Sequence, residues 1–385
     1  MRLERVDASD ARAVLRGLRG AVLGAGPAIA CGAASGGSSA ALPTEVPAGT
    51  AVVVTTSGST GHPKSVVLSR SALTSSALST ADRVGEGAWL LALPPGYIAG
   101  IQVLVRALVA GREPAILAGA FSAHAFTAAA AGMASSEGGV RVPTYTSLVP
   151  AQLQTVLDAV EAGSAEAGRA LRSFAAILVG GQALPPALAA RADAAGARIV
   201  RTYGSSETSG GCVYDGVPLR GVSVRIEAGE VQLSGPMLAD GYLGDPDLTA
   251  RAFATAADGT RWYRTGDLGL MESGRLRVTG RVDNVIVSGG VNISLDRVER
   301  VVRQVPGFAD AVVVAVPDER WGQASVVVSA SPAARAGTAL DVVRAAVGAE
   351  LGAPARPRAV RVVTEIPQLA SGKPDRAALR SLAER

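Results

Sequence analysis

The feature that most restricts the fold is a long alternation of short apolar strands with amphipathic helices. The predicted strands are Ala51–Thr55, Val66–Leu68, Trp89–Leu93, Ala115–Leu117, Ala175–Val179 and Arg198–Thr202. The predicted helices are Asp10–Leu23, Ser69–Thr80, Ile98–Ala110, Ser122–Met133, Thr146–Ala162 and Pro185–Ala195. Because helices between successive strands act as crossover connections, this order predicts an α/β fold with a mostly parallel sheet.

The pattern changes after about residue 213. Short strands separated by Gly, Pro and Asp turns predict a β-rich subdomain at about residues 213–279. Beyond it the sequence predicts a compact α+β unit with helices Leu295–Gln304 and Ala339–Leu351 and strands Ala309–Val316, Gln323–Ser329 and Ala359–Val363. We therefore place one domain at residues 1–282, a smaller one at residues 283–385, and the boundary near Asp283.

Composition excludes several function classes. Hydrophobic residues make up 48% of the chain and charged residues 18%, which is typical of a globular protein. A net charge of only +4 and an aromatic content of 4% argue against a nucleic-acid-binding protein. Cys31, Cys212, His62 and His124 have no metal-site spacing, which argues against a zinc site or a Cys–His pair. No uninterrupted apolar stretch approaches the roughly 20 residues of a membrane span, so we expect no membrane insertion. Two cysteines in a chain of this length fit a reducing cytosol, so we expect a cytoplasmic protein.

Of the 37 basic residues, only Lys64 and Lys373 are lysines. An ammonium is a compact point charge, whereas a guanidinium is a planar fork, so a crowded site can require lysine. Lys64 ends a Ser/Thr/Gly loop that begins at Ser57, directly after a predicted strand. Glycine-rich backbone N–H groups can cradle an anion, which predicts a phosphate loop, although Pro63 excludes a Walker A motif. The alternatives are that the two lysines persist by chance and that the loop is a plain surface turn.

Four further motifs carry groups suited to a nucleotide. Tyr203–Glu207 follows a predicted strand, where a ring can stack on a base, a hydroxyl can meet a phosphate and Glu207 can hold Mg²⁺. Thr265–Asp267 places a carboxylate after a glycine turn, suited to ribose hydroxyls. Gly280–Asn284, followed by Ser288–Ile293, lies at the domain boundary. Ser371–Arg376 lies near the C-terminus, and each of these motifs alone could be an ordinary turn.

In order and spacing, the five motifs resemble those of the acyl-adenylate-forming superfamily over about residues 50–376. This superfamily includes acyl- and aryl-CoA ligases, luciferases and the adenylation domains of peptide synthetases. The resemblance implies an acyl-CoA synthetase-like fold. Such a fold has a large N-terminal domain of stacked α/β sheets with a β-rich subdomain, and a small mobile α+β C-terminal domain.

The resemblance also implies residue roles. The ATP-binding residues would be Thr56, Ser57, Gly58, Ser59, Thr60, Gly61, Lys64, Gly181, Tyr203, Gly204, Ser205, Asp267 and Arg281. The catalytic residues would be Ser206, Glu207 and Lys373, with Mg²⁺ on Glu207. Ser288, Gly289 and Gly290 would bind coenzyme A, and Asp283 would be the hinge of the mobile domain.

Within the superfamily, residues 93–100, 143–153 and 201–216 resemble the o-succinylbenzoate–CoA ligases of menaquinone biosynthesis, in their actinobacterial form. That branch commonly has a histidine near Gly96 or Tyr97, and this chain has none. The resemblance gives a candidate substrate pocket of Tyr97, Gly100, Arg106, Gly180, Ser209 and Gly210. Arg106 is a candidate donor to the second carboxylate of such a substrate; the alternative is a solvated arginine on a helix surface.

These observations predict an ATP-dependent acid–thiol ligase that adenylates a carboxylic acid and transfers it to coenzyme A. The alternatives are an adenylating enzyme with another acid or a carrier protein as acceptor, and a non-enzymatic nucleotide-binding scaffold. The expected partners are a small carboxylic acid, ATP, Mg²⁺ and coenzyme A, with a homodimer as an open alternative.

Overall fold

The computed structural model describes residues 1–24, 26–31, 42–56, 63–133, 135–288, 290–319, 321–369 and 372–384. The chain divides into two compact units. The first comprises Met1–Arg225, Gln232–Arg264 and Ser273–Leu276, and the second comprises Ile226–Val231, Thr265–Glu272 and Arg277–Arg385. The second unit thus takes in two segments of the β-rich region and the residues just before Asp283. The role of Asp283 as a hinge stays a prediction.

The helices are α1 (Ala11–Leu23), α2 (Arg70–Val84), α3 (Ile98–Val109), α4 (Ala123–Ala131), α5 (Pro150–Glu161), α6 (Ala165–Ser173), α7 (Pro186–Ala194), α8 (Pro246–Ala252), α9 (Leu295–Gln304), α10 (Ala339–Leu351) and α11 (Arg376–Glu384).

The strands up to residue 218 are β1 (Leu3–Arg5), β2 (Ala28–Cys31), β3 (Thr50–Thr56), β4 (Lys64–Ser69), β5 (Ala88–Leu91), β6 (Ala115–Ile116), β7 (Ser136–Glu137), β8 (Val140–Arg141), β9 (Thr144–Leu148), β10 (Ala176–Val179), β11 (Ile199–Ser205), β12 (Gly210–Tyr214) and β13 (Val217–Pro218). The later strands are β14 (Ser223–Glu227), β15 (Glu230–Ser234), β16 (Gly241–Tyr242), β17 (Phe253–Thr255), β18 (Arg261–Glu272), β19 (Arg275–Arg281), β20 (Val285–Ser288), β21 (Val291–Ser294), β22 (Val312–Asp318), β23 (Gly322–Ser329) and β24 (Ala359–Val362).

Two sheets form the body of the first unit. One has the order β1-β2-β3-β4-β16, and the other has the order β13-β12-β11-β10-β9-β5-β6. In the second sheet, β6, β5, β9, β10 and β11 are parallel, as the strand–helix alternation predicts. Their carboxyl ends therefore lie at one edge, where open α/β sheets bind ligands.

A hydrophobic core packs helices α4, α5, α6 and α7 onto the seven-stranded sheet. Its members include the fully buried Phe126, Leu153, Leu171, Phe174 and Ile177. Each of these side chains contributes about 1.5–3 kcal/mol by leaving water. This burial fixes the strands whose ends carry the sequence motifs.

Local sequence signals explain where several helices begin. Ser69 accepts a hydrogen bond from the Ala72 N–H at 3.1 Å, so it is the N-cap of α2, as predicted. The predicted helix Thr146–Ala162 was wrong at its start, because residues 144–148 form β9 and α5 begins at Pro150. Proline suits the first helical position and disfavours a helix in the residue before it. Helix α6 had not been predicted.

The β-rich region forms a sheet of order β14-β15-β18-β17, in which β19 also pairs with β18. Within the second unit, a further sheet has the order β21-β20-β23-β22, with β24 paired in parallel to β23. Helices α9 and α10 cover one face of that sheet, and α11 covers the other through Leu379 and Ala383. No helix in the described ranges is both long and apolar enough to span a membrane.

Candidate active site

The predicted phosphate loop joins two paired strands. Strands β3 and β4 are antiparallel, and Thr56 at the end of β3 pairs with Lys64 at the start of β4. The loop residues themselves, Ser57, Gly58, Ser59, Thr60 and Gly61, lie outside the described residues, as does His62. The hairpin fixes the backbone at both ends of this loop, and it places the Lys64 ammonium 5.7 Å from the centre of the Tyr242 ring.

Strands β10 and β11 bring two motifs to the same sheet edge. They are parallel, with Val179 beside Arg201, so Gly180–Gly181 follow the end of β10 and Tyr203–Glu207 run from the last residues of β11 into the turn after it. A side chain at Gly180 would collide with the backbone oxygen of Thr202. At Gly204 it would collide with the Gly210 carbonyl, where the β11–β12 pairing shifts register. Glycine is therefore required at both positions for the strands to approach this closely.

The carboxylate of Glu207 is held by a residue that the sequence had not indicated. Tyr242 Oη donates to Glu207 Oε1 at 2.8 Å, and the Ala239 N–H donates to the Glu207 carbonyl at 2.8 Å. Burial, and then the neighbouring Glu207 carboxylate, raises the pKa of the Tyr242 phenol. The phenol therefore stays protonated and donating across the physiological pH range, with Lys64 over its ring.

The hydroxyls around Glu207 differ in what they contact. Ser205 Oγ is buried and has no hydrogen-bond partner among the described residues, while the Ser205 N–H donates to Thr208 Oγ1 at 2.8 Å. Ser209 is fully buried, and its hydroxyl donates to the Met237 carbonyl at 2.8 Å. The side chains of Thr208 and Ser209 thus fix the backbone around Glu207.

Arg106 is buried, with 6% of its surface exposed, so the alternative of a solvated arginine was wrong. Its guanidinium lies 5.0 Å from the centre of the Trp89 ring, and Nη2 donates to Tyr214 Oη at 3.3 Å. The Nε atom is buried and has no hydrogen-bond partner in the ranges that the structure describes. Within the part of the chain that the structure describes, no carboxylate forms an ion pair with Arg106. Burial lowers the pKa of this guanidinium.

Among the described residues, a second polar atom without a hydrogen-bond partner lies one helical turn before Arg106. Gln102 Nε2 donates to the Leu73 carbonyl at 3.3 Å, but the buried Gln102 Oε1 has no partner in that part of the chain. A side chain at Gly210 would come within 3.2 Å of Gln102 Cγ, so α3 lies against the chain segment that follows Glu207. The predicted pocket residue Gly210 therefore lies beside α3, one helical turn before Arg106.

The other predicted pocket residues lie at the start of α3 and at the end of β10. Tyr97 is half-buried at the N-cap position of α3, and burial raises the pKa of its phenol. Gly100 is packed against the Pro94 carbonyl too closely for any side chain. Gly181 has φ +79°, a left-handed backbone conformation that favours glycine.

In the second unit, the two residues predicted to hold ribose are ion-paired. Arg281 Nη1 donates to Asp267 Oδ1 at 2.9 Å, and its Nε and Nη2 donate to the two oxygens of Asp283 at 2.7 and 3.0 Å. Gly266 precedes Asp267 with φ +69°, and its N–H donates to Glu230 Oε1 at 3.0 Å. Arg281 thus orients the Asp267 carboxylate and binds the predicted hinge residue.

Lys373 lies in a turn that backbone hydrogen bonds close. The Leu369 N–H donates to the Lys373 carbonyl, and the Asp375 N–H donates to the Pro367 carbonyl, each at 2.8 Å. Of the predicted coenzyme A residues, Ser288 is buried and Gly290 has φ +81°, while Gly289 lies outside the described residues. Their assigned roles stay predictions.

Comparison with known proteins identifies the family. A family model described as AMP-binding enzyme matches residues 26–243, and one described as AMP-binding enzyme C-terminal domain matches residues 297–373. A probable 2-succinylbenzoate–CoA ligase of Mycobacterium tuberculosis is 39% identical over 336 residues, which cover 86% of this chain and 83% of the relative. The 2-succinylbenzoate–CoA ligase of Escherichia coli is 31% identical over 278 residues, covering 69% of this chain and 55% of the relative.

Solved structures agree with the predicted fold class. The o-succinylbenzoate CoA synthetase (MenE) from Bacillus subtilis, in complex with the acyl-adenylate intermediate OSB-AMP, has a TM-score of 0.70 at 26% identity and covers 86% of this chain and 69% of its own. The amide bond synthetase McbA from Marinactinospora thermotolerans has a TM-score of 0.73 at 27% identity, covering 93% of this chain and 76% of its own. The acyl-CoA synthetase-like fold is confirmed. The chain therefore belongs to the acyl-adenylate-forming family of AMP-binding enzymes and is related within it to the 2-succinylbenzoate–CoA ligases.

Proposed function

We propose that this chain is a 2-succinylbenzoate–CoA ligase. It activates 2-succinylbenzoate with ATP as an acyl-adenylate and transfers the acyl group to coenzyme A, releasing pyrophosphate and then AMP. Family membership supports the adenylation chemistry. The observation that carries the choice of a dicarboxylic acid is the buried guanidinium of Arg106, which lacks a carboxylate partner among the described residues.

The first half-reaction joins two anions. A carboxylate oxygen of the substrate attacks the α-phosphorus of ATP, the bond to the β-phosphate breaks, and pyrophosphate leaves. Positive charge and fixed positions must offset the repulsion between carboxylate and triphosphate. We assign Lys64 and the adjoining loop to the β- and γ-phosphates, and Lys373 to the substrate carboxylate and the α-phosphate.

The Glu207 carboxylate fits a magnesium site. Mg²⁺ is usually held by one or two carboxylates together with substrate phosphates, so a metal-binding cluster of side chains is not required. The described residues contain no group of three or more His, Cys, Asp and Glu that could hold a metal. Tyr242 donates to Glu207 Oε1 and orients the carboxylate. When bound, the metal would neutralise phosphate charge.

The second half-reaction transfers the acyl group to sulfur. The thiol of coenzyme A attacks the acyl carbon, the bond to AMP breaks, and the thiol proton leaves. We assign Ser288, Gly289 and Gly290 to the binding of coenzyme A. Asp283 would be the hinge about which the small domain turns, so that Lys373 leaves the site and the thiol enters it. Tyr203, Gly204 and Gly181 would border the adenine, and Asp267 with Arg281 would hold the ribose.

The function is tested with a panel of carboxylic acids, ATP, Mg²⁺ and coenzyme A, with products identified by mass spectrometry. We expect AMP and the 2-succinylbenzoate thioester to form in equal amounts. An enzyme that turns over other acids but not 2-succinylbenzoate would contradict the substrate assignment. Acyl transfer to a phosphopantetheinyl protein instead of coenzyme A would favour the carrier-loading alternative.

Arg106→Gln tests the binding of the second carboxylate. Two analogues, 4-oxo-4-phenylbutanoate and 2-butanoylbenzoate, each retain one of the two carboxylates of 2-succinylbenzoate. The analogue that the enzyme turns over has the reacting carboxylate and lacks the carboxylate that Arg106 would bind. A hydrogen bond to a charged group contributes about 1.5–3 kcal/mol. We therefore expect kcat/KM for 2-succinylbenzoate to fall by about ten- to a hundredfold, with little change for the reactive analogue.

The exposed Arg83 of α2 supplies the control, because its ion pair with Asp215 at 3.8 Å contributes little. Arg83→Gln should leave kcat/KM unchanged for both 2-succinylbenzoate and the analogue. Arg106→Lys should recover part of the kcat/KM that Arg106→Gln loses. Equal losses for the dicarboxylate and the analogue in Arg106→Gln would show a purely structural role.

Tyr242→Phe tests the support of Glu207. The variant keeps the ring under Lys64 but removes the hydrogen bond to the carboxylate, so the Mg²⁺ concentration for half-maximal adenylation should rise about tenfold. Tyr145→Phe is the matched control, since it removes the hydrogen bond from another buried tyrosine to the Val84 carbonyl at 2.8 Å. An unchanged Mg²⁺ requirement in Tyr242→Phe would contradict this role.

A further inference from the structure

Helix α9 carries two carboxylates, Asp296 and Glu299, spaced three residues apart and therefore on one side of the helix. Glu299 is buried, with 7% of its surface exposed. Its Oε2 accepts from Arg376 Nη2 at 2.8 Å and from the Val313 N–H at 3.0 Å, and its Oε1 pairs with Arg303 at 2.8 Å. Every oxygen of this buried carboxylate thus has a partner, so its position is fixed.

Arg376 connects this carboxylate to the lysine turn. It is the first residue of α11, three residues after Lys373. Arg376 donates to Glu299 through Nη2 and to the Val313 carbonyl through Nη1, the latter at 2.7 Å. Its planar guanidinium therefore binds α9 and β22 at the same time. The start of α11 is therefore fixed on the body of the second unit, directly after the turn that carries Lys373.

The other carboxylate of α9 contacts the segment around the predicted hinge. Asp296 Oδ2 accepts from the Arg281 N–H at 2.8 Å, and Oδ1 accepts from Asn284 Nδ2 at 2.6 Å. These two residues flank Asp283. Arg376 Nη2 lies 3.9 Å from Asp296 Oδ1 as well. One helix thus joins the hinge segment to the lysine turn through charged contacts within a single unit.

We infer that Arg376 and Glu299 are positioning residues that hold Lys373 for the adenylation step. The inference rests on the proposed function, because it takes Lys373 as the group that contacts the reacting carboxylate and α-phosphate. Lys373 is exposed on its turn, whereas Glu299 is buried and holds the half-exposed Arg376 three residues further along the chain. The contact with buried Glu299 fixes the C-terminal end of the lysine turn, and through α9 any rotation at Asp283 would move Lys373 with it.

The test measures both half-reactions in Arg376→Gln and Glu299→Gln. A misplacement of about 1 Å can cost on the order of a hundredfold in rate. We expect the rate of adenylation, measured as pyrophosphate release, to fall by about that factor. Thioester formation from supplied acyl-adenylate and coenzyme A should stay within about threefold of the unchanged protein, as it should in Lys373→Ala.

A double variant separates positioning from general destabilisation. If Arg376 acts through Lys373, adding Arg376→Gln to Lys373→Ala should slow adenylation no further than Lys373→Ala alone, because interacting residues are not additive. Arg376→Lys should recover part of the rate by keeping the charge. Arg380→Gln, an exposed arginine one turn further along α11, is the matched control and should change neither half-reaction.

Three results would overturn the inference. Equal losses of both half-reactions in Arg376→Gln would indicate a folding defect, and a further loss in the double variant would show that Arg376 acts independently of Lys373. Either result leaves the proposed function intact if Lys373→Ala still loses adenylation alone. If Lys373→Ala keeps adenylation, the role proposed for this lysine fails, and the inference fails with it.

Discussion

The hydrogen bond from Tyr242 to Glu207 joins the two sheets of the first unit at the point where the sequence motifs meet. Tyr242 lies on β16 at the edge of the sheet that contains the β3–β4 hairpin, and Glu207 follows β11 of the seven-stranded sheet. The same tyrosine lies beneath the ammonium of Lys64. The spacing between the phosphate-loop lysine and the acidic residue therefore depends on this one buried phenol, which its environment keeps protonated.

Charge pairing distinguishes the groups that support the site from those suited to a ligand. The buried Glu299 is paired with Arg376, and both bind the backbone of β22, as expected for a buried charge with a structural task. Arg106 has an aromatic ring and a tyrosine hydroxyl beside it, while no other described residue forms a hydrogen bond with its Nε. A buried cation of this kind gains most when an anion arrives, which agrees with a substrate that brings a second carboxylate.

Much of the fold could be predicted from local patterns, because strand–helix alternation and capping residues act over a few neighbours. Ser69 at the N-cap of α2 and the parallel pairs β5/β6 and β10/β11 are examples. The start of α5 was missed although Val149-Pro150 carried the signal, since a β-branched residue before proline favours extended backbone. Tyr242 could not be predicted, because its contact with Glu207 results from the antiparallel pairing of β16 with β4. The burial of Arg106 could not be predicted either, since α3 is covered by α1, α2, β5 and β12 on several sides.

The proposed reaction requires that the carboxylic acid is adenylated before coenzyme A takes part. Exchange of radiolabelled pyrophosphate into ATP tests this order most directly, because exchange requires a reversible acyl-adenylate step. We expect label to enter ATP in the presence of Mg²⁺ and 2-succinylbenzoate without coenzyme A, and we expect omission of the acid to stop the exchange. Exchange that requires coenzyme A, or that proceeds equally well without any carboxylic acid, would contradict it.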